Sequence, residues 1–258
     1  MWEEPPISGT NGSGAVFFSY CNLKCVFCQN YDISTKNHGY YVSEEELADI
    51  FLGLEKQGAH NINLVTPTHF APCIAGSIVL AKQKGLSLPV IYNCGGYENA
   101  DTVKKLGSLI DIYMPDIKYF RNATALKYSG APDYFSYASR ALHEMVKQTG
   151  KCRFNENGIM QSGTLVRHML LPGLIYESKK IIDYLYSTYG DDIYISIMSQ
   201  YTPAGNLEEF PELNRTVDPR HYDSLINYCM RLGIKNAYIQ SSASAKEEFI
   251  PGFYPYDK

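Results

Sequence analysis

Cys21, Cys25 and Cys28 share one short stretch, CNLKCVFC, directly after the apolar run AVFFSY. Three thiolates on one loop make a soft, anionic pocket that suits zinc, copper(I) or an iron-sulfur cluster. A structural zinc site normally closes with four ligands, often as two C-x-x-C pairs, and no second pair exists in this sequence. A four-iron cluster usually takes four cysteines too, so three without an obvious fourth point to an iron left open for something else to coordinate.

Other residues with chemical potential lie farther along the chain. Asp116 and Lys118 alternate with Ile117, so both face one side of an extended segment, and a buried pair of opposite charges is costly unless further groups complete it. Arg167 sits in LVRHMLL, a run otherwise fit for burial, where an unpaired guanidinium would be expensive. Its planar fork suits a carboxylate. His168 alternates to the opposite face and reads as structural. In Asn93-Cys94-Gly95-Gly96 the glycines allow close backbone approach to a ligand. Cys94 is either a thiol that gives hydrogen to a substrate or a filler of the core, and His69 either a substrate-side acid or base or a solvated loop residue.

These residues need a scaffold that gathers them. Short β-rich runs alternate with amphipathic stretches, the pattern of a parallel sheet built from βα units. Strands are expected at 15–20, 61–66, 89–94, 110–118, 164–171 and 192–200, with 237–242 as a seventh. Ser43 and Glu46 form a capping box, and Leu47, Ile50, Phe51 and Leu54 then fall on one helical face before Gly58. Further helices fit 72–84, 98–107, 132–148, 176–189 and 218–231, the last with Asp218 as N-cap and Pro219 at its first position. Segments 150–162 and 201–217 read as loop insertions, and no boundary divides the chain, so 1–258 is expected to form one domain. Right-handed βα crossovers give an open sheet or part of a barrel, and either places ligands at the carboxyl ends of the strands. The cysteine loop, TPTH, NCGG, DIK and SQYTP all follow strand runs.

The 258 residues suffice to bury a core without metal or disulfide staples. A net charge of -4, with 23 basic residues scattered rather than striped, gives no field for gripping nucleic acid. No apolar run approaches the roughly 20 residues that span a bilayer, and MWEEPPISGT lacks the regions of a secretory signal. The expected location is the cytoplasm. Seven cysteines, an odd number, argue for reduced thiols, and Cys73, Cys152 and Cys229 are expected to be small buried apolar residues.

The stretch Cys21 to Cys28, with its aromatic before the last cysteine, resembles the CxxxCxxC signature of the radical S-adenosylmethionine (radical SAM) enzymes. GTNGSGAVFFSYCNLKCVFCQN, NLVTPTHFAPCI, MPDIKY, LVRHMLLPG and IMSQYTP resemble the branch related to pyruvate formate-lyase activating enzymes, in particular its cytosolic members. The resemblance implies an α/β fold, a partial (β/α)6 barrel, with a 4Fe-4S cluster on Cys21, Cys25 and Cys28. Its open iron would hold the amino and carboxylate groups of SAM. One electron would then cleave SAM to methionine and a 5'-deoxyadenosyl radical, which abstracts hydrogen from a substrate.

Residue by residue, the resemblance places Phe27 against the adenine, Asn93 on SAM, Asp116 and Lys118 beside the methionine moiety, and Arg167 on the carboxylate. Thr66 and Thr68 stand where members usually carry Gly-Gly-Glu for the amino group, a departure that keeps hydroxyls and loses the carboxylate. Gln200 and Tyr201 stand near a position used against ribose or adenine. The implied partner is a glycyl radical enzyme, or another protein, peptide or small molecule, with flavodoxin or ferredoxin as electron donor. Relatives with longer amino termini would carry a segment that this sequence, beginning just before the first strand, lacks. The competing class is a noncatalytic zinc or iron-sulfur module.

Overall fold

The computed structural model describes residues 3–36, 38–204 and 207–239. Its sheet runs in the order β1-β2-β3-β4-β6-β7-β8, where β1 is Gly14–Phe17, β2 Ile62–Val65, β3 Val90–Cys94, β4 Ile112–Pro115, β6 Met160–Met169, β7 Tyr194–Met198 and β8 Ala237–Ile239. All of these neighbours pair in parallel; β5 (Arg153–Phe154) alone pairs antiparallel, with β6. Among the described residues β1 and β8 remain the two ends of the sheet, so the parallel α/β barrel is partial.

Helices α3 (Glu44–Lys56), α4 (Ala71–Gln83), α5 (Ala100–Leu106), α7 (Tyr134–Thr149), α8 (Ile175–Tyr189) and α9 (Pro219–Leu232) pack outside the strands, close to the expected spans. Ser43 caps α3 as the sequence requires: its hydroxyl accepts from Glu46 N–H at 3.2 Å, and the Glu46 carboxylate accepts from Ser43 N–H at 2.8 Å.

The period of two along a strand sorts side chains into two layers. From β2 and β3, Ile62, Leu64, Tyr92 and Cys94 join Phe51, Ile74 and Ile78 in the core between sheet and helices. Ile91, Ile112, Met114, Met160 and Leu165 instead cluster with Ile7 inside the barrel. Ile7 belongs to α1 (Pro5–Ser8), a short helix absent from the sequence expectations. Asn61 Nδ2 donates to Ile7 carbonyl at 2.7 Å and anchors it there. Gly9, with φ +50°, leaves this helix where a Cβ would strike His60 and Ile159. The amino-terminal segment therefore forms the barrel floor.

Four expectations need correction. Segment 150–162 is not a loop: Arg153–Phe154 is a strand, β6 starts at Met160, and the Asn155 side chain accepts from the N–H groups of Asn157 and Ile159 to make the turn between them. β4 ends at Pro115 rather than 118, although Asp116 N–H still donates to the Cys94 carbonyl and Ile117 N–H to the Arg167 carbonyl, both at 2.9 Å. Helices α2 (Tyr31–Thr35) and α6 (Asn122–Ser129) fill stretches too short or too polar to show a period. Among the scattered cysteines, Cys229 is buried as expected, but Cys152 is half-buried and Cys73 exposed on α4. Residues 240–242 of the expected last strand lie outside the described residues. No helix among the described residues is long and apolar enough to cross a membrane.

Candidate active site

The cysteine loop leaves β1 and hooks onto the end of α6. Lys24 N–H donates to the Ser129 carbonyl at 2.9 Å and Val26 N–H to the Tyr128 carbonyl at 3.0 Å. These are backbone bonds, so the loop path does not depend on side chains at 24 and 26. Ser129 Oγ donates to Cys25 Sγ at 2.9 Å, and Ser129 is paired in turn with the Tyr119 hydroxyl at 2.6 Å. Leu23 N–H approaches Cys21 Sγ at 3.4 Å, and Ser34 Oγ of α2 lies 3.4 Å from Cys28 Sγ. Each thiol thus has a polar neighbour of the kind that tunes a cluster.

Burial pushes the Cys25 thiol up to about 11 and raises Cys21 as well, so both reach a metal as thiolates only by releasing a proton on binding. No three His, Cys, Asp or Glu side chains among the described residues converge on a single-ion site. A cluster needs its thiolates spread around several irons, and the donor set, three thiols on an anchored loop, fits one.

Facing this loop is a buried charge network. Lys118 Nζ pairs with Asp116 Oδ2 at 2.5 Å, and Arg167 Nε donates to Asp116 Oδ1 at 2.9 Å. Burial opposes ionisation of Asp116, but Arg167 and Lys118 outweigh it and hold the carboxyl below the usual range. Burial likewise opposes the charge on Lys118, and Asp116 and Cys25 raise its pKa nonetheless. Arg167 also donates through Nη2 to Asn93 Oδ1 at 2.8 Å and through Nη1 to Glu3 Oε2 at 3.2 Å. Three of its five N–H groups are so engaged, which leaves two for a ligand carboxylate.

The turn after β2 is strained. Thr66 holds φ +60°, a left-handed conformation that β-branched residues rarely adopt, while its N–H donates to the Asn93 carbonyl at 2.9 Å. Thr68 Oγ1 donates to Glu98 Oε1 at 2.6 Å. Glu98, overlooked in the sequence although it closes the run NCGGYE, is 2% exposed, and burial pushes its carboxyl up to about 7 against the pull of Thr68, Tyr92 and Cys94. Beside it opens a pocket of about 300 Å³ lined by Asn22, Thr68, Tyr97 and Glu98, next to the first cysteine.

This carboxyl has a measurable sign. Its folded pKa exceeds its unfolded value, so its contribution is fully present below the model-peptide range and is lost as pH rises through about 7. Glu98→Gln is expected to remove about 3 kcal/mol of the stability difference between pH 4.5 and 7.5, read by urea unfolding at the two pH values. An unchanged difference would refute the buried acid.

The other expected contacts divide. Asn93, Asp116, Lys118 and Arg167 form one connected group, and Thr66 touches it through the Asn93 backbone. Gly96, at φ +78°, lets the backbone pass Asp116, whose carbonyl a Cβ would strike. Phe27 is 4% exposed in the core, its ring edge-on to Tyr201 at 5.7 Å. Tyr201 is 1% exposed and donates to the Leu213 carbonyl at 2.8 Å, and Gln29 Nε2 reaches the Gln200 carbonyl at 3.5 Å. Phe27, Gln200 and Tyr201 therefore buttress the cysteine loop and stand apart from the charge network. Cys94 points into the sheet-helix layer, 3% exposed, rather than into the barrel. His69 is exposed. His168 is buried, with Nδ1 2.7 Å from the Ile117 carbonyl and burial lowering its pKa, in keeping with a structural role.

Comparison with known proteins agrees with this architecture. An uncharacterized protein of Methanocaldococcus jannaschii is 28% identical over 213 residues, which is 79% of this chain and 57% of that protein. Streptococcus suis SuiB bound to its precursor peptide SuiA superposes with a TM-score of 0.57 at 13% identity, over 88% of this chain and 48% of SuiB. SuiB bound to S-adenosylmethionine gives 0.55. Methylornithine synthase (PylB) gives 0.58 at 15% identity, over 87% of this chain and 63% of that one. The chain spans little more than half the length of the curated relative, and the structural likenesses carry the fold alone. Residues 15–185, from β1 into α8, match the pattern of the radical SAM superfamily, and the chain belongs to that family.

Proposed function

We propose that the protein is a hydrogen-abstracting enzyme of the type that activates glycyl radical enzymes. The family's cofactors are a 4Fe-4S cluster and SAM. When bound, they supply a 5'-deoxyadenosyl radical able to abstract hydrogen from carbon. Cys21, Cys25 and Cys28 would hold the cluster, and Asn93, Thr66 and Arg167, with Asp116 and Lys118 beside them, would hold SAM.

The observation that carries the proposal is the Asp116-Lys118-Arg167 network, buried and charged beside the thiol loop. Its fixed charges orient a zwitterionic group without reorganising, and the surrounding apolar residues keep water from screening them. Arg167 offers donors to a carboxylate, and Asp116 keeps that guanidinium in place. The likeness of MPDIKY and LVRHMLLPG to the activating enzymes favours a backbone glycine of a partner protein as substrate, and the open edges that β1 and β8 present among the described residues suit entry of a loop. In this proposal a low-potential flavodoxin or ferredoxin in the cytoplasm gives the electron. A smaller substrate, free or peptide-borne, is the second reading, favoured by unpartnered acceptors inside the barrel.

The test is anaerobic reconstitution. The expected protein binds about four irons per chain, absorbs broadly in the visible, and releases 5'-deoxyadenosine from SAM on reduction. A colourless, zinc-loaded protein that leaves SAM intact defeats the proposal. A glycyl radical signal on a co-incubated partner separates the activase role from the second reading.

A further inference from the structure

Among the described residues the barrel floor holds two buried acceptors without a hydrogen-bond partner. Asn63, in the middle of β2, is fully buried; its Nδ2 donates to Glu3 Oε1 at 3.4 Å, and its Oδ1 has no hydrogen-bond partner. Glu4 Oε2 is likewise buried and unpartnered. Glu3 and Asp116 share the single guanidinium of Arg167, which also serves Asn93, while Lys118 is turned onto Asp116. Among the described residues three carboxyl groups, Glu3, Glu4 and Asp116, thus meet two cations.

Among the described residues such an arrangement lacks one positively charged donor. Water offers hydrogen atoms but not the charge; an ammonium group offers both, with three N–H groups for the available oxygens. We propose that Glu3, Glu4 and Asn63 form a subsite on the barrel floor that binds a primary ammonium group of the substrate. The subsite lies on the same inward face as Asn93 and Arg167, which brings an amine-bearing molecule into the barrel interior. Calling this ligand a substrate rests on the radical chemistry proposed above; the subsite itself does not.

The state of Glu3 agrees. Burial pushes its carboxyl up to about 7; Arg167 and Asn63 pull it down, while Glu4 and Asp116 push it further up. A proton therefore occupies a place that a cation would take. Glu3 is also held through its backbone, its N–H donating to Ser8 Oγ, so its side chain starts from a fixed point of α1.

The test uses cluster-loaded protein with glutamate labelled with carbon-13 at the δ-carboxyl, the Glu3 signal being assigned with Glu3→Gln. Ethylammonium chloride is expected to bind and to lower the pH midpoint of Glu3 by about one unit, equivalent to about tenfold coupling. Ethanol, of matching size without charge, is expected to leave it in place. By calorimetry, Glu3→Gln should weaken ethylammonium binding about tenfold, and circular dichroism confirms that this variant is folded.

L-lysine and the tripeptide Gly-Lys-Gly separate a free amine from a peptide-borne one: binding of L-lysine alone assigns the former, and preference for the tripeptide the latter. An unmoved Glu3 midpoint, no ethylammonium binding, or equal binding by Glu3→Gln overturns the proposal, even in a protein that cleaves SAM. A protein that fails to cleave SAM yet shows the shifted midpoint keeps the subsite and loses the radical chemistry.

Discussion

Replacing Cys25 by alanine abolishes retention of the iron-sulfur cluster and leaves the barrel folded. The thiol lies between its neighbours on the loop and receives the Ser129 hydroxyl at 2.9 Å. Without it only Cys21 and Cys28 remain, too few to hold a four-iron core against chelation. The loop itself persists, because backbone bonds from Lys24 and Val26 to α6 fix it and the buried Leu23 and Phe27 side chains anchor it in the core. The stability cost is that of one small half-buried side chain, about 1–2 kcal/mol. Iron content is expected to fall from about four per chain to well below one, with loss of visible absorption and of 5'-deoxyadenosine release, while far-ultraviolet circular dichroism is unchanged. Normal iron content in a protein that no longer folds would contradict this account.

The second large effect concerns Arg167. Its side chain is only 15% exposed and is shared by Asp116 and Glu3, themselves 14% and 13% exposed. Arg167→Met leaves both carboxylates without their common cation, and removing one partner of a buried pair costs about 3–5 kcal/mol. Adding Glu3→Gln to Arg167→Met should return part of that loss above about pH 7, where the Glu3 carboxyl would otherwise have to ionise, and little below it. Arg167→Lys keeps the charge but loses the fork that reaches Asp116, Glu3 and Asn93 together. Urea unfolding of the three variants gives the order; equal stability of Arg167→Met and the parent protein would show that the network is not coupled.

The parts legible in the sequence are those written in local chemistry or in a period. The thiol spacing, the Ser43 capping box and the alternating strand runs each belong to a few consecutive residues, and the matching elements formed within a few positions. Asp116, Lys118 and Arg167 stood out because charge within apolar strands demands a partner, and they proved to be one another's partners. Glu3 was not legible as the third carboxylate: only the return of α1 beneath the strands brings residue 3 beside residue 167. Ser129 was hidden for a similar reason, since α6 carries no amphipathic period and its end meets the cysteine loop across more than a hundred residues. The exposure of Cys73 shows that a cysteine's usual burial is a statistical habit, not a consequence of sequence position.

The attachment of the thiol loop to α6 through main-chain groups has an evolutionary corollary. Side chains at 24 and 26 can drift without moving the sulfur atoms, whereas one inserted residue would slip both anchoring bonds and misplace every thiol after it. What inheritance must conserve in this stretch is its length between sulfurs, far more than its lettering.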